Sequence, residues 1–191
     1  MQRLRKVLIA NRGEVVTRVA RSCHALGLAT VAVFSDADRD ATFITHCDQA
    51  VHIGGRESGE SYLVIEKIIA AAQSSGAIAV HPGYGFLADN TELPRGCAEG
   101  GLIFIGPTPD VIERLGSKQQ AREIAAAAGI PIVPGYDGDD QSDARLADEA
   151  RKLGLPVLLK ASAGGGGKGM RIVRADDELD SAIKAAKREA A

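Results

Sequence analysis

Strand and helix signals alternate almost without interruption from Lys6 to Ile105, and that order restricts the fold more than any other feature of the chain. Lys6 to Ala10 reads as a buried strand. Glu14 to Leu26 reads as a helix, with Val15, Val16, Val19, Ala20 and Cys23 at helical spacing and Gly27 as its stop. Thr30 to Phe34 and Ala50 to Ile53 form the next two strands. Tyr62 to Ala72 is an amphipathic helix ending near Gly76, and Ala77 to Val80 is a fourth strand. A weaker helix between Thr91 and Glu99 precedes a last strand, Leu102 to Ile105. Strands separated by helices imply a parallel sheet covered on both faces. The fold class is α/β, a small doubly wound, Rossmann-like domain over residues 1–107. Such sheets take ligands outside the carboxyl ends of their strands, where Asn11-Arg12-Gly13 and His81 to Leu87 fall. No G-x-G-x-x-G occurs within residues 1–107, so the outline does not carry a dinucleotide site. Asp36, Asp38 and Arg39 read as turn-setting residues rather than ribose ligands.

The second half is organised differently. Residues 108–134 read as a linker, with a helix that starts near Ser117 (Gln120 follows three residues on) and ends by Ala128, before Pro131 and Pro134. Residues 135–191 begin with an acidic, turn-rich loop to Asp143, then a helix from Ala144 to Leu153 stopped by Gly154. A strand, Val157 to Lys160, runs into nine residues that include five glycines, and a second strand starts at Met170. Asp176 reads as the cap of a final helix, Asp177 to about Ala190.

That glycine loop carries chemistry. Glycine has no Cβ, so successive backbone N–H groups can turn toward one anion without steric cost. Lys160 at the strand end supplies a mobile point charge. A Walker A loop would need Gly-Lys-Ser/Thr opening a helix; here Gly167-Lys168-Gly169 leads into the strand-type run Met170-Arg171-Ile172-Val173. The unit is a hairpin hinged over a polyphosphate.

Composition narrows the function classes. The chain has 191 residues, 45% hydrophobic, enough for one ordinary domain and part of another. A formal charge of −2, no basic block and 4% aromatic residues argue against nucleic-acid binding. No apolar run approaches the ~20 residues of a membrane span, and Met1 to Arg5 lead straight into a strand without a signal-peptide core. A cytoplasmic protein is the expectation. Cys23, Cys47 and Cys97 have neither zinc nor disulfide-framework spacing.

Four stretches in order resemble the biotin carboxylase part of biotin-dependent acyl-CoA carboxylases, a branch of the ATP-grasp enzymes. They are Lys6 to Glu14, His81-Pro82-Gly83-Tyr84-Gly85-Phe86-Leu87, Phe104-Ile105-Gly106-Pro107, and the hairpin from Pro156 to Val173. The resemblance covers essentially the whole chain. It implies a pre-ATP-grasp domain followed by part of an ATP-grasp lid subdomain, and a parent enzyme that uses MgATP and bicarbonate to carboxylate carrier-bound biotin through carboxyphosphate.

The same resemblance assigns roles. Lys118 and Lys160 neutralise ATP phosphates, and the amides of Gly166 and Gly167 meet them. Leu158 and Met170 pack the adenine ring. Tyr84 borders the biotin end, His81 is too easily a structural histidine to be assigned as a base, and Lys168 reads equally well as a solvated flap residue. Ala88-Asp89-Asn90 departs from the family's Ser-Glu-Asn, which puts the role of Asp89 in doubt. The two metal-binding glutamates and the groups that bind bicarbonate and biotin lie beyond residue 191. No catalytic or metal residue is therefore expected within the chain, which looks truncated and inactive alone. The expected partners are a biotin carrier domain, a carboxyltransferase subunit or domain, and a second copy or larger complex. The stretch Pro134 to Gln141 looks most like the methylcrotonyl- or geranyl-CoA branch. A non-catalytic binding module and another ATP-grasp ligase are the rival readings.

Overall fold

The computed structural model describes residues 4–116, 118–160 and 170–190, which fall into two compact units, Met1–Gly116 and Ser117–Ala191. The first is built on five parallel strands: β1 (Lys6–Ile9), β2 (Ala29–Ser35), β3 (Gln49–Gly54), β4 (Ala79–His81) and β5 (Ile103–Phe104). Their order is β3-β2-β1-β4-β5, as expected of a doubly wound sheet. Helices α1 (Glu14–Ala25), α2 (Ile65–Ser75), α3 (Glu92–Glu99) and α4 (Pro109–Gly116) accompany them.

Side-chain alternation along the strands makes the layers. Leu8, Val31, Val33 and Val80 pack with Ile68 and Ala72 of α2 and with Leu93 and Cys97 of α3. On the other face, Ile9 and Ala32 meet Val16 and Ala20 of α1 together with Phe43. Strands buried on both sides must read as continuous apolar runs, which is why β1 and β2 stand out in the sequence. Fully burying a Leu or Ile such as Leu8, Ile9 or Ile68 stabilises the unit by roughly 1.5–3 kcal/mol each. Two helices end as their glycines predict. The chain turns left-handed at Gly27 and Gly76, both φ +70°, and the next N–H reaches back to Cys23 O and Ala72 O at 2.9 Å.

The structure differs from the sequence reading in three places here. Helix α2 starts at Ile65 rather than Tyr62, because Tyr62 is buried and donates its hydroxyl to Asp38 at 2.7 Å. Short 3₁₀ turns at Asp36–Asp38, Thr42–His46 and Ser58–Glu60 occupy the connections. Helix α4 was not expected.

The second unit contains α5 (Lys118–Ala127), α6 (Asp143–Leu153), the antiparallel pair β6 (Val157–Lys160) and β7 (Met170–Val173), and α7 (Leu179–Ala190). Its core joins Ala150 of α6, Val173 and Leu179 with Val157, Leu159 and Ala182. Ser142 caps α6 by accepting the Arg145 N–H at 3.3 Å. The last helix is entered differently from the sequence reading. Residues Asp176–Glu178 form a 3₁₀ turn, and Glu178 accepts the N–H groups of Arg174 and Ala175 at 2.9 and 3.4 Å. Asp176 instead pairs with Arg151 at 2.6 Å.

Candidate functional site

The β6–β7 register sorts the hairpin into two faces. Val157 pairs with Val173, Leu158 with Ile172, Leu159 with Arg171 and Lys160 with Met170. Because successive side chains alternate, Val157, Leu159 and Val173 turn to the helices, while Leu158, Lys160, Met170 and Ile172 share the other face. That face is open: Leu158 is 51% exposed, Met170 47% and Ile172 60%, and Lys160 is exposed at its end. Three apolar side chains and one cation side by side on a sheet suit a flat heterocycle that carries a charged tail. Ile172 was missed by the sequence reading. Its parity with Met170 was the available signal.

Lys118 opens α5. Its side chain lies outside the described residues. Gly166, Gly167 and Lys168 lie outside the described residues.

In the first unit the strand order reverses between β1 and β4, so the crevice for a ligand lies between the loops that follow them. The protein ties the two loops to each other there. Asn11, 2% exposed, donates both amide protons, to Pro82 O and Tyr84 O, each at 2.9 Å, and accepts the Arg12 N–H at 2.9 Å. Gly83 has φ +69°, and a Cβ on it would stand 2.6 Å from Val15 Cγ1 and 2.7 Å from Asn11 Nδ2. Only glycine fits.

The surrounding side chains lock the same loop. His81 Nδ1 accepts the Gly83 N–H at 2.9 Å, which leaves the ring proton on Nε2, and burial lowers the imidazole pKa. His81 is a neutral turn residue. Phe86, with a left-handed φ of +48°, stacks on Tyr62 with ring centroids 5.2 Å apart. The Arg12 guanidinium lies 5.8 and 5.7 Å from those two rings and 3.5 Å from Asp38. Tyr84 is 63% exposed and donates its hydroxyl to the carboxylate of Glu14, the first residue of α1.

The acidic residues after β2 serve the turn, as expected. Asp38 also accepts from Ser35 Oγ at 3.2 Å. Asp36 binds Arg39 at 3.0 Å and His52 at 2.9 Å, and the Arg39 hydrogen bond leads in holding its carboxyl below the usual range. Asp89 is exposed, and Asn90 accepts the Glu92 N–H at 2.7 Å at the start of α3. Among the described residues no three His, Cys, Asp or Glu side chains converge as a metal site, and no helix is long and apolar enough to cross a membrane.

Comparison with known proteins accounts for both units. Residues 3–112 match the family model "Biotin carboxylase, N-terminal domain". Residues 117–191 match "Carbamoyl-phosphate synthase L chain, ATP binding domain". The alpha subunit of mitochondrial methylcrotonoyl-CoA carboxylase from Rattus norvegicus is 50% identical over 185 residues, 97% of this chain and 26% of that protein. A biotin carboxylase from Campylobacter jejuni, solved as a β,γ-ATP complex, superposes with a TM-score of 0.88 at 40% identity, covering 98% of this chain and 42% of that one. The biotin carboxylase domain dimer of Hydrogenobacter thermophilus 2-oxoglutarate carboxylase, solved with MgADP, ADP and bicarbonate, gives 0.86 at 45% identity, covering 100% and 42%. The chain thus spans between about a quarter and two fifths of these relatives. With a family model matched over most of the first unit and close relatives along nearly its whole length, the chain belongs to the biotin carboxylase family.

Proposed function

We propose that this chain supplies the amino-terminal domain and the nucleotide-covering hairpin of a biotin carboxylase, an ATP-dependent ligase. In the reaction a bicarbonate oxygen attacks the γ-phosphorus of ATP, ADP leaves, and the resulting carboxyphosphate releases CO2 and phosphate. The ureido nitrogen of carrier-bound biotin takes up the CO2 and gives up its proton. The proposed functional division is the Rossmann-like domain 1–107, the linker 108–134 and the partial lid 135–191.

The observation that carries this reading is the uncovered strip of Leu158, Lys160, Met170 and Ile172. The apolar members take the adenine ring, and Lys160 with Lys118 neutralises the phosphates, which the amides of Gly166 and Gly167 also meet. Tyr84 stands at the biotin end. Magnesium supplies charge neutralisation on the phosphates when bound. No ligand to it is assigned to the described residues, and the family pattern has its carboxylates beyond residue 191. The relatives support the nucleotide and bicarbonate, since one was solved with β,γ-ATP and another with MgADP and bicarbonate.

The partners in this reading are a biotin carrier domain, a carboxyltransferase subunit or domain, and a second copy of the chain; the last is supported by the Hydrogenobacter domain dimer. A methylcrotonyl-type acyl-CoA is the favoured final acceptor, supported by the rat relative. A reducing compartment, the cytoplasm in this reading, suits three free cysteines of which Cys23 and Cys97 are buried.

The test uses the complete subunit that carries this sequence. Lys160→Met is expected to cut bicarbonate-dependent ATP hydrolysis and biotin carboxylation at least tenfold, about 1.4 kcal/mol of transition-state stabilisation, with the fold intact by circular dichroism. Unchanged turnover would remove Lys160 from the site.

A further inference from the structure

We propose that Glu14 is a positioning residue for the biotin end of the site: it holds the phenol of Tyr84 in one orientation so that the ring meets the ureido group as a fixed wall. This rests on the reading of Tyr84 given above and deepens it.

Much of the 82–86 loop is held by contacts to neighbouring residues. Asn11 fixes the backbone at Pro82 and Tyr84. His81 fixes Gly83. Tyr62 and Arg12 fix Phe86. The Tyr84 side chain projects outward, 63% exposed, and an exposed side chain samples several staggered rotamers. Glu14 removes that freedom through the hydrogen bond from the Tyr84 hydroxyl. The backbone at Glu14 is fixed, because it opens α1 directly after Gly13, whose left-handed φ of +61° redirects the chain from Asn11 into the helix. The loop that carries Tyr84 and the helix that carries Glu14 are therefore joined at two levels, backbone through Asn11 and side chain through Glu14.

The bond also sets what Tyr84 can offer. Its one hydroxyl proton is committed to a carboxylate, a charge-assisted bond, and that hydrogen bond is the first cause raising the phenol pKa. The residue then presents a ring face and an acceptor oxygen, and no donor. A cyclic urea has flat faces and N–H donors, which match both features.

The experiment measures steady-state kinetics of the complete subunit with free biotin as acceptor. Glu14→Ala is expected to raise the biotin KM by roughly three- to tenfold, the scale of one ordering hydrogen bond. The KM for ATP and the biotin-independent ATP hydrolysis should stay at the parent values. Glu14→Gln, whose amide oxygen still accepts, should recover most of the loss. On a Tyr84→Phe background, Glu14→Ala should add nothing further. A second readout is the tyrosine titration followed at 295 nm: Glu14→Ala should lower the pKa of one phenol relative to the parent subunit.

The outcomes separate the inference from the reading beneath it. If Tyr84→Ala raises the biotin KM but Glu14→Ala does not, Glu14 has no positioning role and the inference fails alone. If Tyr84→Ala itself leaves the biotin KM unchanged, the assignment of Tyr84 to the biotin end fails, and the inference with it. Equal losses for ATP and biotin in Glu14→Ala would mark a general structural defect and also overturn it.

Discussion

Among the described residues, the crevice between β1 and β4 and the outer face of the β6–β7 hairpin are finished in opposite ways. The crevice has the strand order that elsewhere receives nucleotides, yet Asn11 ties its two loops together and a Cβ on Gly83 would collide with Val15 and Asn11. The hairpin leaves Leu158, Met170 and Ile172 uncovered beside a lysine. Burying such side chains is worth roughly 1.5–3 kcal/mol each, which is the gain a ligand lying on this face would supply. A shared sheet topology says where a ligand can sit, and the side chains there decide what it would meet.

The largest effect should come from untying the two crevice loops. Asn11→Ala removes two hydrogen bonds to backbone carbonyls in a buried setting and is expected to destabilise the first unit by about 2–4 kcal/mol. Urea unfolding of the chain measures it. A loss below about 1 kcal/mol would mean that Asn11 does not hold the two loops together, and the contrast with the hairpin would collapse.

Next comes the uncovered face, where stability and binding should separate. Leu158→Asp or Ile172→Asp is expected to change stability by under about 0.5 kcal/mol, since both are exposed. The same changes should raise the ATP KM of the complete subunit about tenfold, or ~1.4 kcal/mol. A large loss of stability with an unchanged KM would show that these residues pack within the protein instead.

The smallest effect concerns acid. The Asp48 carboxyl accepts the Thr30 N–H at 2.7 Å, the Thr30 hydroxyl at 2.9 Å and His24 Nε2 at 3.0 Å. These bonds, the backbone one foremost, lower its pKa from 3.8 to about 2. A folded pKa below the unfolded one stabilises the native state above the unfolded value and is lost as pH falls through the folded one. Asp48→Asn should therefore weaken the first unit at neutral pH, and the difference from the parent should shrink between 3.8 and about 2. The side chain is 51% exposed, so solvent screening keeps the effect small. A difference independent of pH over that window would show that the charge of Asp48 is irrelevant.

What could be read from the sequence followed from local chemistry. The strand–helix order was legible because β1 and β2 are apolar without a break and Gly27 and Gly76 end their helices in a left-handed turn. Tyr62 was misread because its apolar spacing joined it to α2, whereas its hydroxyl answers to Asp38, 24 residues away. Asp176 has the chemistry of a helix cap, but Arg151 from α6 captured it. Helix α4 had a signal that went unused, Thr108 followed by Pro109 at the first helical position. At the candidate site, Leu158 and Met170 came from resemblance, while Ile172 needed the register. Asn11 and Glu14 acquire their roles from partners about 70 residues away, which no local pattern encodes.

The most direct test asks where adenine touches the complete subunit. Photolabelling with 8-azido-ATP, followed by peptide mapping, should put the label on the segment from Val157 to Val173. Label on residues 10–14 or 81–87 instead would mean that the nucleotide enters the sheet crevice, and the division of labour between the two units would be wrong.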